Sequence, residues 1–167
     1  FVSTLCSELR LRELPSPASP FTIFFGGGTP SLLSPTHLER ILDEIPGRDL
    51  AGEVTMECNP GTVTLENLRA YRSLGINRLS FGVQSFVQEE LDFLTRIHSA
   101  EEAREAMRLA RAAGFDNVNM DLMFALPPQT LESLSYSLNE MLALDPDHIS
   151  AYSLMYEPGT PLHVQKE

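Results

Sequence analysis

The chain has 167 residues, of which 43% are hydrophobic and 21% charged, so it is large enough for one domain with its own core and is not of a disordered type. The formal net charge of −11 disfavours non-specific binding to nucleic acid, because an acidic surface repels phosphate. No apolar run approaches the roughly 20 residues of a membrane-spanning helix, so the sequence predicts no membrane span.

The first part of the chain alternates between helical and strand patterns. Apolar residues at helical spacing predict a helix near residues 2–9, and a stretch rich in Pro and Ser ends it. A nearly continuous apolar run over 21–25 then predicts a buried parallel strand that stops at three glycines. Ser34 and Pro35 are the residue types of a helix cap and a first helical position, so a helix is expected to begin there.

The same alternation continues to the end of the chain. The later predicted strands are short apolar runs: 54–56, 78–83, 118–124 and 148–154. The predicted helices between them have apolar residues at helical spacing: 64–74, 87–97, 99–114 and 131–141. Ser99 and Glu102 match a capping box at the start of one of these helices. Strands that are regularly separated by helices predict βαβ units and a parallel sheet.

Five βα units can form either a doubly wound sheet or part of a (β/α) barrel. An open sheet concentrates its site at one switch point, whereas the strand ends of a barrel form one rim. Because distinctive polar residues follow every predicted strand, an α/β partial (β/α) barrel with outer helices is favoured. We expect one partial domain over 1–167, lacking sequence at both ends, since Phe1 falls inside a helical pattern.

Two cysteines, Cys6 and Cys58, lie in different predicted elements without metal-ligand spacing. We expect them to be buried, reduced thiols of a cytoplasmic protein.

The strongest local signal is the sequence Gly26-Gly27-Gly28-Thr29-Pro30 after the first strand. Glycines permit positive φ angles and a close approach of the backbone, whose N–H and C=O groups can contact a small polar ligand. The motif lacks the Lys-Ser/Thr ending of a phosphate loop and the spacing of a dinucleotide fingerprint. On physical grounds alone, a tight structural turn is favoured over a binding loop.

This glycine motif resembles the S-adenosylmethionine (SAM) binding turn of radical SAM proteins of the oxygen-independent coproporphyrinogen III oxidase-like family. Further stretches resemble that family in the same order over nearly the whole chain: 57–62, 78–86, 94–98, 119–123, 148–154 and 157–161. Each stretch is modest by itself, and their order makes the resemblance specific. The resemblance implies a barrel of the radical SAM type, with SAM and a 4Fe-4S cluster as cofactors.

The resemblance also implies which residues bind SAM: Gly26, Gly27, Gly28, Thr29, Glu57, Gln84, Arg96 and Asp121. In the family the glycine turn contacts the methionine amino group, and the arginine pairs with the methionine carboxylate. Glu57 matches an acid that binds the ribose or the amino group, and Gln84 and Asp121 match residues that contact the ribose. Each position also has a structural alternative, such as a contact that fixes a loop or a solvated charge. His98 is expected to be structural.

The chain departs from the family pattern in two places. Residues 125–130 read Ala-Leu-Pro-Pro-Gln-Thr where the family usually reads Gly-Leu-Pro-Gly-Gln-Thr, which alters a loop expected near the adenine. The Cys-x3-Cys-x2-Cys motif that holds the cluster is absent. The family places this motif before the first helix, so we expect it upstream of Phe1, and the chain alone is expected to bind no cluster and to be inactive. No catalytic residue and no metal ligand is assigned.

Two branches of this family differ in function. HemW-like haem chaperones bind haem and deliver it to haem proteins, whereas coproporphyrinogen III dehydrogenases decarboxylate propionate side chains. The residues of 85–86, 96–98, 150–154 and 157–161 resemble the HemW-like branch. The resemblance therefore implies haem as a ligand and haem-accepting proteins as partners. A barrel without a cluster that binds another molecule is the remaining alternative, favoured if no cysteine triplet precedes Phe1.

Overall fold

The computed structural model describes residues 1–12, 14 and 21–164, with five strands and seven α-helices among them. The strands are β1 (Phe21–Phe25), β2 (Ala51–Cys58), β3 (Arg78–Gln84), β4 (Val118–Phe124) and β5 (His148–Ser153). The helices are α1 (Val2–Leu11), α2 (Pro35–Leu42), α3 (Leu65–Ser73), α4 (Gln88–Phe93), α5 (Ala100–Ala112), α6 (Leu131–Ala143) and α7 (Pro161–Val164). The Pro- and Ser-rich stretch that was predicted to end α1 lies largely outside the described residues.

The five strands form one sheet in the order β1-β2-β3-β4-β5, and each strand is parallel to its neighbours. A doubly wound sheet would reverse its strand order at a switch point. The sequential order instead gives half of a (β/α) barrel, so the predicted partial barrel is confirmed. All five strands therefore end at the same rim.

The two faces of the sheet differ in polarity because successive side chains of a strand point to opposite sides. One face carries buried apolar residues that pack beneath the helices: Val54, Met56, Leu79, Phe81, Val83, Val118, Met120 and Leu122. The opposite face carries polar residues at the alternate positions: Thr55, Glu57, Ser80, Asn119, Asp121, Ser150 and Tyr152. The apolar core thus lies outside the half-barrel, and the inner face is left for polar contacts.

The predicted helix starts at Ser34 and Ser99 are confirmed by their hydrogen bonds. The Ser34 hydroxyl accepts from the main-chain N–H of His37, and Ser99 forms a reciprocal capping box with Glu102. The helix predicted over 87–97 was too long, because α4 ends at Phe93. Thr95 then adopts a φ of 53°, which a continuing α-helix does not allow.

The altered loop after β4 contains a residue in a left-handed conformation. Ala125 has a φ of 60°, at a position where the resemblance predicts glycine. We expect Ala125→Gly to raise the free energy of unfolding by up to about 1 kcal/mol, because Gly avoids the steric cost of this conformation and loses part of that gain to chain entropy. Thermal unfolding measures the change. The control Ala112→Gly, in the last turn of α5, is expected to lower stability by about 0.5–1 kcal/mol, and a loss of stability in Ala125→Gly would contradict the prediction.

Candidate functional site

A polar pocket lies at the rim where the strands end, on the inner face of the half-barrel. Its lining comes from all five strands and the loops after them: Gly28, Thr29, Pro30, Glu57, Cys58, Asn59, Ser80, Gly82, Gln84, Arg96, Asp121 and Tyr152. Six of the eight residues predicted to bind SAM are in this set. The other two, Gly26 and Gly27, lie directly beside it in the same turn. The fold therefore brings together residues that are far apart in the chain, from Gly28 after the first strand to Tyr152 on the fifth.

The glycine turn after β1 is fixed against the end of β2. The main-chain N–H of Gly27 donates a hydrogen bond to Oε2 of Glu57 over 3.1 Å. A Cβ on Gly26 would lie 2.6 Å from the Phe24 ring and 3.3 Å from the carboxyl carbon of Glu57, so a larger residue would require the Phe24 side chain to move. Gly27 and Gly28 both have positive φ angles, which glycine adopts without strain. The motif is thus a tight turn that also borders the pocket.

The Asp121 carboxylate lies in a polar network on the inner face. Its Oδ1 accepts hydrogen bonds from Nδ2 of Asn119 over 2.7 Å and from the Ser80 hydroxyl over 3.5 Å. Nδ2 of Asn119 also donates to the Ser80 hydroxyl over 2.7 Å. Burial raises the pKa of Asp121, the neighbouring charge of Glu57 adds to this, and the hydrogen bond from Asn119 opposes it. The effect of burial on the pKa of Asp121 therefore outweighs the hydrogen bonds from Asn119 and Ser80 and the charge of Arg96.

This raised pKa makes the ligand-free fold sensitive to pH. Between the usual pKa of aspartate and the raised one, the folded state binds more protons than the unfolded state, so the free energy of unfolding falls as pH rises through that window. We expect Asp121→Asn to raise the melting temperature of the ligand-free protein at pH 7, and we expect the gain to shrink toward about pH 4.

Thermal unfolding at several pH values checks this expectation. The control is Asp116→Asn, an exposed position after α5, which should leave the melting temperature unchanged. A melting temperature that falls in Asp121→Asn at pH 7 would show that the carboxylate stabilises the fold instead.

Arg96 reaches the pocket from the turn after α4. Its main-chain N–H donates to the carbonyl of Leu91 over 2.9 Å, which fixes the turn in which Thr95 is left-handed. Its Nη2 atom lies 3.2 Å from the point that a Cβ on Gly82 would occupy. Within the described part of the chain, Arg96 forms no ion pair. The guanidinium is therefore available to an anionic group of a ligand.

Gln84 and Tyr152 meet across the pocket. The Tyr152 hydroxyl donates to Oε1 of Gln84 over 2.8 Å. Gln84 is buried, whereas Tyr152 is 41% exposed. Burial raises the pKa of Tyr152, and the charge of Asp121 adds to this, so its hydroxyl stays protonated as a donor at neutral pH.

Sequence reasoning missed several lining residues, among them Ser80, Asn59 and Tyr152, and also the supporting Asn119. A usable signal was present, because side chains two apart on a strand share a face. Asn119 shares the face of Asp121, and Ser80 shares that of Gln84. His98 lies outside the lining, and its Nε2 donates to the Val83 carbonyl over 3.1 Å. This contact holds the loop after α4 against β3.

The residues present do not fit a 4Fe-4S cluster. Both cysteines are buried and apart, with Cys6 donating to the Arg40 carbonyl and Cys58 to the Met56 carbonyl. Burial raises the pKa of Cys58 to about 12, which opposes the thiolate form that binds metal. In the portion of the chain that the structure describes, no three His, Cys, Asp or Glu side chains converge as metal ligands. The pocket residues do fit SAM, whose polar groups match its carboxylates, amide and guanidinium.

No helix in the described ranges is both long enough and apolar enough to cross a membrane.

Comparison with known proteins identifies the class that this fold and site define. Residues 11–141 match the family model of the radical SAM superfamily, so the chain belongs to that superfamily. It is 44% identical over 144 residues to the haem chaperone HemW of Bacillus subtilis and 47% identical over 142 residues to that of Escherichia coli. Each alignment covers 83% of this chain and 38% of the relative, so the chain spans less than half the length of these curated relatives.

A solved structure supports the same assignment. The coproporphyrinogen III oxidase HemN from Escherichia coli, described as a radical SAM enzyme, superposes with a TM-score of 0.84 at 30% identity. The superposition covers 95% of this chain and 37% of that one. The resemblance inferred from the sequence is therefore confirmed, and the superfamily implies SAM and a 4Fe-4S cluster as cofactors.

Proposed function

We propose that this chain is the SAM-binding part of a HemW-like radical SAM protein that binds haem and delivers it to haem proteins. The observation that carries the proposal is the convergence of Glu57, Gln84, Arg96 and Asp121 on one pocket in a member of the radical SAM superfamily. The proposal includes that the chain is one partial domain of a longer cytoplasmic protein. The chain covers 38% of each HemW relative, which supports the proposal that it belongs to a longer protein.

The charges of the pocket suit SAM. Glu57 and Asp121 bring two negative charges and Arg96 brings one positive charge, so the lining carries a net charge of 1 − 2 = −1 when both acids are ionised. SAM carries a sulfonium, an amino group and one carboxylate, and therefore has a net positive charge. The two carboxylates attract this cation, while the guanidinium holds the one anionic group.

Each predicted residue has a role in holding SAM. The glycine turn, including Thr29, places backbone groups beside the methionine amino group, and Arg96 pairs with the methionine carboxylate. Glu57, Gln84 and Asp121 accept from or donate to the ribose hydroxyls, with Glu57 also able to reach the amino group. In radical SAM proteins bound SAM is the source of a 5′-deoxyadenosyl radical. The residues of this chain bind and orient it.

The haem chaperone function is favoured over porphyrinogen decarboxylation because the HemW relatives are 44% and 47% identical, against 30% for the solved HemN structure. Coproporphyrinogen III dehydrogenase activity is the second candidate, supported by the TM-score of 0.84 to that structure. The proposed partners are haem and the proteins that accept it.

The full-length gene product that contains this chain tests the proposal. We expect isothermal titration calorimetry to detect SAM binding, and we expect titration with haem to produce the absorbance band of a protein-bound haem. Incubation with coproporphyrinogen III and a reductant should give no protoporphyrinogen. Formation of that product would replace the chaperone function by the dehydrogenase function. Absence of SAM binding would contradict the assignment of the pocket itself.

A further inference from the structure

A hydrogen bond between two residues that line the pocket joins β3 and β5, which are not neighbours in the sheet. Tyr152 lies on β5 and Gln84 at the end of β3, with β4 between them. The Tyr152 hydroxyl donates to Oε1 of Gln84 over 2.8 Å, although the two residues are 68 positions apart. Both residues line the pocket. The bond therefore couples the last strand to a residue that we assign to SAM binding.

The backbone at Gln84 is adapted to this arrangement. The register between β3 and β4 shifts between Phe81 and Gln84, so β3 has an irregularity just before the pocket. Gln84 itself has a φ of 71°, which is unfavourable for a residue with a side chain. Such features re-aim side chains near binding sites and persist only where the surrounding structure holds them. Here they direct the amide of Gln84 into the pocket.

The hydrogen bond decides which end of the amide is left for a ligand. A glutamine amide has one oxygen that accepts and one nitrogen with two hydrogens to donate. Oε1 is engaged by Tyr152, and Nε2 lies 3.3 Å from the point that a Cβ on Gly82 would occupy. Nη2 of Arg96 lies 3.2 Å from the same point. Nε2 of Gln84, which has no hydrogen-bond partner among the described residues, is thus left to donate to a ligand beside the guanidinium of Arg96.

We propose that Tyr152 is a positioning residue, which holds the Gln84 amide so that its nitrogen donates to an oxygen of bound SAM. This inference rests on the proposed function, because it requires SAM in the pocket. Without the Tyr152 hydroxyl the Gln84 amide has no partner that fixes its orientation. Ordering the amide when the ligand binds then costs conformational entropy, which weakens binding. The hydroxyl of Tyr152 forms this hydrogen bond, so the change to Phe, which keeps the ring, measures the effect of the hydroxyl on SAM binding.

The test is a double-mutant cycle on the full-length protein with SAM as the probe. Tyr152→Phe is expected to weaken SAM binding about fivefold to tenfold, as measured by calorimetry. In a Gln84→Met background the same change should have no further effect, because the amide that Tyr152 orients is gone. The control Tyr136→Phe, on the outer helix α6, should leave the dissociation constant unchanged. Urea unfolding of every variant separates a loss of binding from a loss of stability.

Each other result has a distinct meaning. An unchanged dissociation constant in Tyr152→Phe would overturn the inference while leaving the SAM site intact. An equal loss in both backgrounds would show that Tyr152 contacts SAM directly, which also overturns the positioning role. If the unmodified protein does not bind SAM, the proposed function fails first and the inference fails with it.

Discussion

Replacing Arg96 by glutamine is expected to weaken SAM binding by the full-length protein about 30-fold. This factor corresponds to about 2 kcal/mol, the scale of a charged hydrogen bond that is lost from a partly desolvated site. Arg96 is the only cationic residue in the described lining of the pocket, whereas the two acids cannot bind a carboxylate. Calorimetric titration with SAM measures the effect directly. The loss should appear in the dissociation constant and leave the urea midpoint unchanged, because Arg96 forms no ion pair with the described residues.

A matched control exists on the outer surface. Arg69 is an exposed residue of α3 and lies outside the pocket lining. Arg69→Gln removes the same charge from the protein and should leave SAM affinity unchanged within a factor of about two. An equal loss in both variants would mean that net charge, and not the position of Arg96, controls binding. No loss in either variant would contradict the assignment of Arg96.

Replacing Glu90 by leucine is expected to lower the free energy of unfolding by about 2–3 kcal/mol. Glu90 is 1% exposed and accepts three side-chain hydrogen bonds: from Ser85 over 2.6 Å, from Gln129 over 3.0 Å and from Ser133 over 2.5 Å. Leucine would remove the acceptor that these three donors share and leave them only longer contacts to Ser137, Met123 and Thr130, and an unsatisfied buried polar group costs about 1–3 kcal/mol. Leucine also removes the cost of desolvating the buried carboxylate. The net loss in the free energy of unfolding is therefore smaller than the three hydrogen-bond costs added together.

Urea denaturation measures the change in the free energy of unfolding, and two further variants serve as comparisons. Glu90→Gln keeps one acceptor oxygen and should cost less than Glu90→Leu. Glu89→Leu removes an exposed carboxylate from the neighbouring position of α4 and should change stability by about 0.5 kcal/mol or less. Equal effects at positions 89 and 90 would show that the buried network contributes nothing.

The Glu90 network also bears on the pocket. Ser85 follows Gln84 directly, and Gln129 reaches from the loop after β4 to both Glu90 and the Met123 carbonyl. The carboxylate therefore ties the ends of β3 and β4 and the start of α6 together. Gln129 is one of the residues of the altered 125–130 loop that match the family pattern. Its hydrogen bonds to Glu90 and to the Met123 carbonyl give a structural reason for a glutamine at this position.

Much of the fold could be predicted from local sequence because local physics determines it. The apolar runs predicted all five strands, although β2 was predicted over 54–56 and extends further at both ends. Its first residues, Ala51, Gly52 and Glu53, are not typical of strands. The capping residues Ser34 and Ser99 predicted where two helices begin, because a cap needs only neighbouring atoms. The glycine motif and the ordered family stretches identified the superfamily. Each of these signals is a short stretch that can be read from the residues within it.

Only the tertiary structure decided how the site is assembled. The sequence named Glu57, Gln84, Arg96 and Asp121, but not that Tyr152 on the last strand would engage one of them. Nor did it show that Gln84 and Ala125 would be left-handed, because that depends on how β3 and β4 pair at their ends. The direction of a side chain at a strand end is set by register and by partners 30 to 70 residues away. No local pattern encodes such contacts, since they come into existence only when the sheet has formed.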